Sequence, residues 1–172
     1  MSITILRLGH RLFRDQRLTT HVFLVARALS ATRGFYTGER DNSLEESVKS
    51  LVSQWGGVFE VRYIENQKNI LKSFKGKIVH LTAYGIPFSK KLKEIRKAKN
   101  LLIIVGGEKV PSEIYQKADW NLSVSSQPHS EVAALGIFLY ELQGRKFRPF
   151  RNARLRIIPK EKGKMVSLGK KK

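Results

Sequence analysis

Short apolar runs alternate with stretches of helical period along most of the chain. ITILRL (residues 3–8), VFEVRYI (58–64), KIVHLTAYG (77–85) and ADWNLSVS (118–125) read as strands, and GFYTG (34–38) as a short extended piece. NLLIIVGG (100–107) is the most apolar of these runs. A strand covered on both faces needs no polar alternation, so this one is predicted to be central. TTHVFLVARALSA (19–31) has helical period with a threonine cap. NSLEESVKSLVSQWGG (42–57) is a clear helix: Leu44, Val48, Leu51, Val52 and Trp55 share one face, and Gly56 and Gly57 end it. Ser43 and Glu46 have capping-box spacing at its start. NQKNILKSF (66–74) reads as a short helix and SKKLKEIRKA (89–98) as a basic one. SEVAALGIFLYELQ (130–143) is apolar nearly all round, hence a buried helix. The alternation predicts an α/β domain with a largely parallel sheet and helices on both faces.

After Gly144 the character changes. Residues 145–172 are basic and carry a turn signal, KEKGK (160–164), between two short β-like runs. A domain over 1–144 and a basic β-hairpin extension with a tail over 145–172 are therefore expected. The net charge is +19, from 33 basic and 14 acidic residues, and +11 of it lies in the extension. Further clusters are KKLKEIRKAK (90–99) and Arg7, Arg11, Arg14 and Arg17. A field of this sign, in three clusters with few acids between, favours a nucleic-acid partner over a merely solvated surface. The absence of cysteine excludes disulfides, thiolate metal sites and cysteine nucleophiles, and fits a cytoplasmic protein. No apolar run approaches the ~20 residues that cross a bilayer, and the opening MSITILRLGHR carries no leader pattern. No membrane association is expected.

Ligands of an open α/β sheet sit outside the carboxyl ends of its strands. Three such ends carry turn chemistry: VHLTAYG, where Leu81 and Thr82 leave the strand; VGGEKVP (105–111); and LSVSSQPHSE (122–131). No G-x-G-x-x-G, Walker loop, H-E-x-x-H or nucleophile elbow is present. His10, His21, His80 and His129 are scattered, and each reads as a structural histidine. The loops suggest a small molecule held by backbone groups and an apolar slot, and the spacing does not name it.

The segments LRLGHRLFRDQRLTTHVFLVARAL (6–29), VHLTAYG, LLIIVGGEKVP (101–111) and QPHSEVAALGIFLYEL (127–142) resemble the archaeal tRNA 2'-O-methyltransferases of the SPOUT class that modify a T-loop cytidine. The resemblance covers essentially the whole chain. It implies a C-terminal trefoil knot, S-adenosylmethionine bound in the knot loops, tRNA as substrate, no metal, and a homodimer with an active site shared between subunits. The cofactor positions it implies are Leu81, Thr82, Gly106, Gly107, Glu108, Lys109 and Val110, with Val124, Ser125, Ser126, Gln127, Pro128, His129 and Ser130. The first motif of the wider group has Asn and, six residues later, Arg; His21 and Arg27 take those places here. Lys109 and Pro111 replace two glycines of the second motif, so the loop takes a path of its own.

For catalysis the resemblance implies Arg27, with Arg14, Asp15 and Arg17 beside it. A guanidinium is a poor base, so Arg27 is expected to orient the ribose and a phosphate and to stabilise charge developing on the oxygen. Arg11, Arg14 and Arg17 suit phosphate clamping, and Asp15 holds one of these forks or meets the substrate. Phe147 and Phe150, between Arg145, Arg148 and Arg151, are expected to pack the hairpin onto the body rather than stack on bases. Two other classes stay open at this point: a non-catalytic, ribosomal-type RNA-binding protein with a degenerate pocket, and an α/β enzyme using another adenine cofactor.

Overall fold

A computed structural model describes residues 1–107, 109–147, 149–150 and 152–169. Glu108, Arg148, Arg151 and the final three lysines lie outside the described residues. The elements run β1 (Ser2–His10), α1 (Gln16–Ala28), β2 (Arg33–Gly38), α2 (Asn42–Trp55), β3 (Glu60–Tyr63), α3 (Lys68–Ser73), β4 (Lys77–Pro87), a 3-10 turn (Phe88–Lys90), α4 (Leu92–Ile95), β5 (Asn100–Gly106), α5 (Ser112–Lys117), β6 (Trp120–Ser123), α6 (Glu131–Leu142), β7 (Leu155–Ile157) and β8 (Val166–Leu168).

Strands β1 to β6 form one sheet in the order β3-β2-β1-β5-β4-β6, parallel throughout. The predicted central strand is β5, paired with β1 and β4. Its apolar run serves two cores at once. Leu101, Ile103 and Val105 join the larger one, with Phe23, Leu135 and Phe138 of α1 and α6. Leu102 and Ile104 join the smaller one, with Leu71 of α3 and Ile114 of α5. The period of two in a strand sends alternate residues to opposite faces, so a continuous apolar run is what a doubly covered strand requires. The chain moves outward from β1 to β3 and then returns to build β4, β5 and β6 on the other side of β1. The reversal leaves the carboxyl ends of β4, β5 and β6 together.

Several boundaries differ from expectation. Helix α1 starts at Gln16 with Asp15 at its N-cap, not at Thr19. Thr19 is buried, and its hydroxyl bonds His10 Nδ1 at 2.9 Å. Helix α2 is capped by Asp41, whose carboxylate accepts from Leu44 N–H at 3.0 Å. Ser43 donates to that carboxylate at 2.7 Å, and Glu45 in the first turn accepts from the Tyr63 N–H of β3 at 3.1 Å. The basic helix expected over residues 89–98 shrinks to the 3-10 turn and the single turn of α4. Ile95 is its one buried residue, and crowded lysines disfavour further extension. Helix α5, which the pattern did not single out, buries only Ile114.

The extension forms an antiparallel hairpin, β7 with β8. Phe150 packs it on the body, lying 4.6 Å from the Arg27 guanidinium. Phe147 stacks on Tyr140 at 5.3 Å and stays largely exposed.

Candidate active site

β4 and β6 pair in two stretches. Leu81 faces Leu122, and so does Ile86, because residues 82–85 leave the ladder between them. Where that excursion returns, Gly85 lies against backbone: a β-carbon there would stand 2.5 Å from atoms of Leu122. The excursion forms one wall of a cleft of about 300 Å³ at the carboxyl ends of β4, β5 and β6. The turn after β5 forms the second wall. It folds back so tightly that a β-carbon on Gly106 would run into the Val110 side chain. The segment from Val124 to α6 closes the third side.

Of the residues expected around a cofactor, Leu81, Thr82, Gly106, Gly107, Val110, Val124, Pro128 and His129 line this cleft. Lys109, Ser125, Ser126, Gln127 and Ser130 are not among its lining residues, and Glu108 lies outside the described ones. Ser125 accepts from Gln127 N–H at 3.1 Å, which shapes the approach to the helix. Ser130 caps α6, accepting from Val132 N–H at 3.2 Å. The cap thus engages one of the free N–H groups at the start of the helix.

The expected catalytic residues fall in two places. Asp15 is buried and accepts from Arg11 Nε at 3.0 Å, so it does hold one guanidinium fork. Arg14 and Arg17 are exposed around it. Arg27 lies elsewhere, in an apolar groove of about 590 Å³ beneath the extension, with Trp55 and Phe150. Its Nε and Nη2 donate to the Gly56 carbonyl at 3.0 and 2.6 Å. None of the residues of that groove lines the cleft.

One residue that sequence reading placed only in a basic cluster lies beneath the cleft. Arg7, on β1, is 1% exposed. Its Nη1 donates to the Leu8 carbonyl at 2.5 Å, and its Nη2 lies 3.8 Å from Glu131, a cleft residue. The guanidinium also underlies the glycine turn, 3.5 Å from where a Gly107 β-carbon would be. The available signal was a charge inside an otherwise apolar strand. Phe13 stands fully in solvent among Arg11, Arg14 and Arg17.

Below Asp15, the imidazole of His10 packs edge-on against Tyr36 at 5.5 Å and faces Asp41 at 3.4 Å. Burial pushes the Tyr36 phenol up to about 12, so it stays a donor, shared between the Asp41 carbonyl at 3.1 Å and Glu45 at 2.9 Å. Burial alone would raise Asp41, but the Ser43 hydroxyl, the Leu44 N–H and His10 outweigh it and hold the carboxyl below its ordinary value. Asp15 is likewise held low: burial opposes, and Arg11 and then Arg7 prevail. A depressed carboxyl stabilises the fold above the unfolded-state pKa, and that stability is lost as pH falls through the folded value. The thermal midpoint is therefore expected to fall as pH drops below about 4, and Asp41→Asn to flatten this acid limb. Melting curves at pH 5 and pH 3 for both proteins check it; equal pH dependence in both would remove Asp41 from the account.

Two kinds of likeness to known proteins accompany this geometry. Solved structures share the fold at low identity. The A. aeolicus TrmH/SpoU tRNA modifying enzyme superposes with a TM-score of 0.61 at 15% identity, over 84% of this chain and 75% of that one. The SpoU methyltransferase AviRb from Streptomyces viridochromogenes, in complex with AdoMet, gives 0.61 at 14%, over 84% and 57%. Sequence relatives are much nearer. The tRNA (cytidine(56)-2'-O)-methyltransferase of Archaeoglobus fulgidus is 48% identical over 167 residues, covering 96% of this chain and 98% of its own. That of Thermococcus kodakarensis is 49% identical over 172 residues, covering 95% and 96%. The family described as "tRNA ribose 2'-O-methyltransferase, aTrm56" matches residues 55–167, from the end of α2 through every wall of the cleft to β8. With a SpoU-type sheet, a glycine-walled cleft at its carboxyl edge and near-half identity along its whole length, this chain belongs to the tRNA ribose 2'-O-methyltransferase family.

Proposed function

We propose that this protein transfers a methyl group from S-adenosylmethionine to the ribose 2'-hydroxyl of cytidine 56 in tRNA, the activity that its relatives' names carry. The observation that carries the reading is the cleft itself, built by the segments that the family match spans. The residues present fit the cofactor. Val105, Val110 and Leu122 bring apolar groups to the cleft for a flat base, and Gly106 and Gly107 keep backbone bare along its wall. When bound, the sulfonium supplies an electrophilic methyl and its own leaving group.

The chain's own groups do the rest. The cleft walls fix the donor so that a ribose oxygen can approach in line. Arg11, Arg14 and Arg17 clamp phosphates, and Phe13 offers a face on which a base stacks. Arg27 orients the ribose and stabilises charge on its oxygen. Within one protomer Arg27 lies in the groove under the extension, so the catalytic unit is a homodimer in which Arg27 of one copy serves the cleft of the other. We read the stretch from β4 to α6 as the knotted part of a SPOUT fold; the close backbone approach at Gly85 supports it. Among the described residues no helix is long and apolar enough to cross a membrane and no His/Asp/Glu group is placed for a metal; the reading needs neither, and sets the enzyme in the cytoplasm with its tRNA.

Incubation of unmodified tRNA with labelled S-adenosylmethionine, followed by nucleotide mapping, tests the activity. Label at the ribose of cytidine 56, absent when that nucleotide is replaced, is the expected result. Label elsewhere would overturn the target, and no label would overturn the activity. A second measurement addresses the extension. Deleting residues 160–172 is expected to weaken tRNA binding and to flatten its salt dependence, by about 0.7–0.9 in log–log slope for each phosphate that the tail neutralises. An unchanged slope would mean that the tail does not touch phosphate.

A further inference from the structure

The turn between β1 and α1 is held from several sides. His10 Nδ1 and Thr19 Oγ1, 2.9 Å apart, tie the end of the strand to the helix across it. The Leu12 N–H donates to Glu39 Oε2 at 2.6 Å. The Asp15 N–H donates to the Arg11 carbonyl at 2.9 Å, and the buried Asp15 carboxylate accepts from Arg11 Nε at 3.0 Å. At the apex of this pinned turn stands Phe13, the most exposed of the large apolar side chains. It enters no ring contact among the described residues. Phe147, also exposed, differs in that it lies against Tyr140. A phenylalanine stabilises a fold by leaving water, and this one does not leave it.

The surroundings of the ring say what it meets. The charged side chains exposed beside it are Arg11, Arg14 and Arg17, whereas Asp15 is engaged by Arg11 and Glu39 by the Leu12 N–H. An aromatic face between cations suits a base whose flanking phosphates carry the opposite charge. The turn also stands at the sheet edge that carries the cleft, since Leu8, just before it on β1, pairs with Gly106 of the cleft wall. The cleft is floored by Leu81, Val105 and Leu122, all buried. A ribose that meets a donor seated there must come out of the stack in which its neighbours lie. We propose that Phe13 is a wedge: it enters the tRNA stack at the place the target nucleotide vacates and stacks on a base beside the gap. This rests on the tRNA reading above. Extruding a nucleotide costs the stacking of its neighbours, and an aromatic face restores it without regard to which base is there. The pinned turn loses little freedom in doing so, because it is already ordered in the free protein.

Phe13→Ala in the full-length protein tests this. It is expected to lower kcat/KM for tRNA by about 5-fold to 150-fold, the loss of one base–aromatic stack. The melting temperature and the affinity for S-adenosylhomocysteine should stay at wild-type values, because the ring is fully exposed in the free protein. The salt dependence of tRNA binding should keep its slope, since no charge is removed. Phe13→Trp keeps a planar face and is expected to retain turnover. The place of the ring is read with tRNA carrying 2-aminopurine at one or the other neighbour of the target, in complex with S-adenosylhomocysteine and saturating protein. At one of the two positions emission is expected to stay quenched with the wild type and to rise with Phe13→Ala. Equal emission from both proteins at both positions would overturn the wedge, and so would wild-type turnover in Phe13→Ala. A melting temperature that falls along with turnover would make Phe13 a packing residue instead. If the wild type itself methylates no tRNA, the substrate reading fails and this proposal fails with it.

Discussion

Arg27→Ala is expected to abolish methyl transfer while leaving S-adenosylmethionine affinity within a few-fold of wild type. The two effects separate because Arg27 is not among the residues of the cofactor cleft. Loss of a positioned donor that stabilises developing charge costs on the order of 10²–10³ in turnover. Arg27 also has a structural duty that the substitution removes. Its fork donates twice to the Gly56 carbonyl and lies over Phe150, which pins the C-terminal extension. Leaving that carbonyl unpaired costs roughly 1–3 kcal/mol, so the melting temperature is expected to fall by about 2–12 °C for a chain of this size. Arg27→Lys distinguishes chemistry from packing. A lysine can donate once to Gly56 but cannot reproduce the planar fork, so stability recovers more than turnover does. Unchanged turnover in Arg27→Ala would remove Arg27 from the mechanism; turnover and stability that fall and recover in parallel would leave it a packing residue.

Gly85→Ala is expected to be the most destabilising single methyl in the cleft. The added carbon would stand 2.5 Å from the backbone C and N of Leu122 and 2.6 Å from Asn121 C. Backbone atoms of a neighbouring strand cannot swing aside as a side chain can, so β4 and β6 must separate or the excursion over residues 82–85 must rearrange. Overpacking that forces backbone to move lies at the upper end of point-mutation effects, roughly 3–5 kcal/mol, or about 6–20 °C in melting temperature. Cofactor binding should disappear with it, since that excursion is a wall of the cleft. Two comparisons isolate the cause. Gly106→Ala meets only the tip of the Val110 side chain, whose β-carbon is 3.6 Å away, so a rotation of Val110 relieves most of the clash. Gly107→Ala meets the Arg7 guanidinium at ordinary van der Waals distance, 3.5 Å. The expected order of destabilisation is Gly85, then Gly106, then Gly107. A Gly85→Ala protein that melts with the wild type would mean that β4 and β6 do not approach as described.

The apolar run of β5 was readable because that strand is covered on both faces, and burial on two sides leaves a run with no polar break. Helix α2 was readable from its single apolar face, yet its cap was misplaced by two residues. Ser43 and Asp41 are both good capping types, and only the approach of Tyr36 and His10 selects Asp41. The expected basic helix failed for the complementary reason: α4 buries Ile95 alone, too little to hold a longer helix together. Of the site, the glycine turn, Leu81 and the approach to α6 could be found from turn chemistry and from likeness to a family. Arg7 could not, because its neighbour Glu131 is distant in sequence and local pattern carries no trace of such a pair.

Residue order along this chain was thus sufficient for the class of fold, for the strand at its centre, for a polyanionic partner and for the loops that line the cleft. Those properties follow from period, turn propensity and charge, which act between near neighbours or through the summed field. Where Arg27 points and why Gly85 has no side chain were settled only when β4, β6 and the extension came together. Each depends on atoms brought within a few ångströms by long-range packing, and close packing and hydrogen bonding have no range beyond that distance.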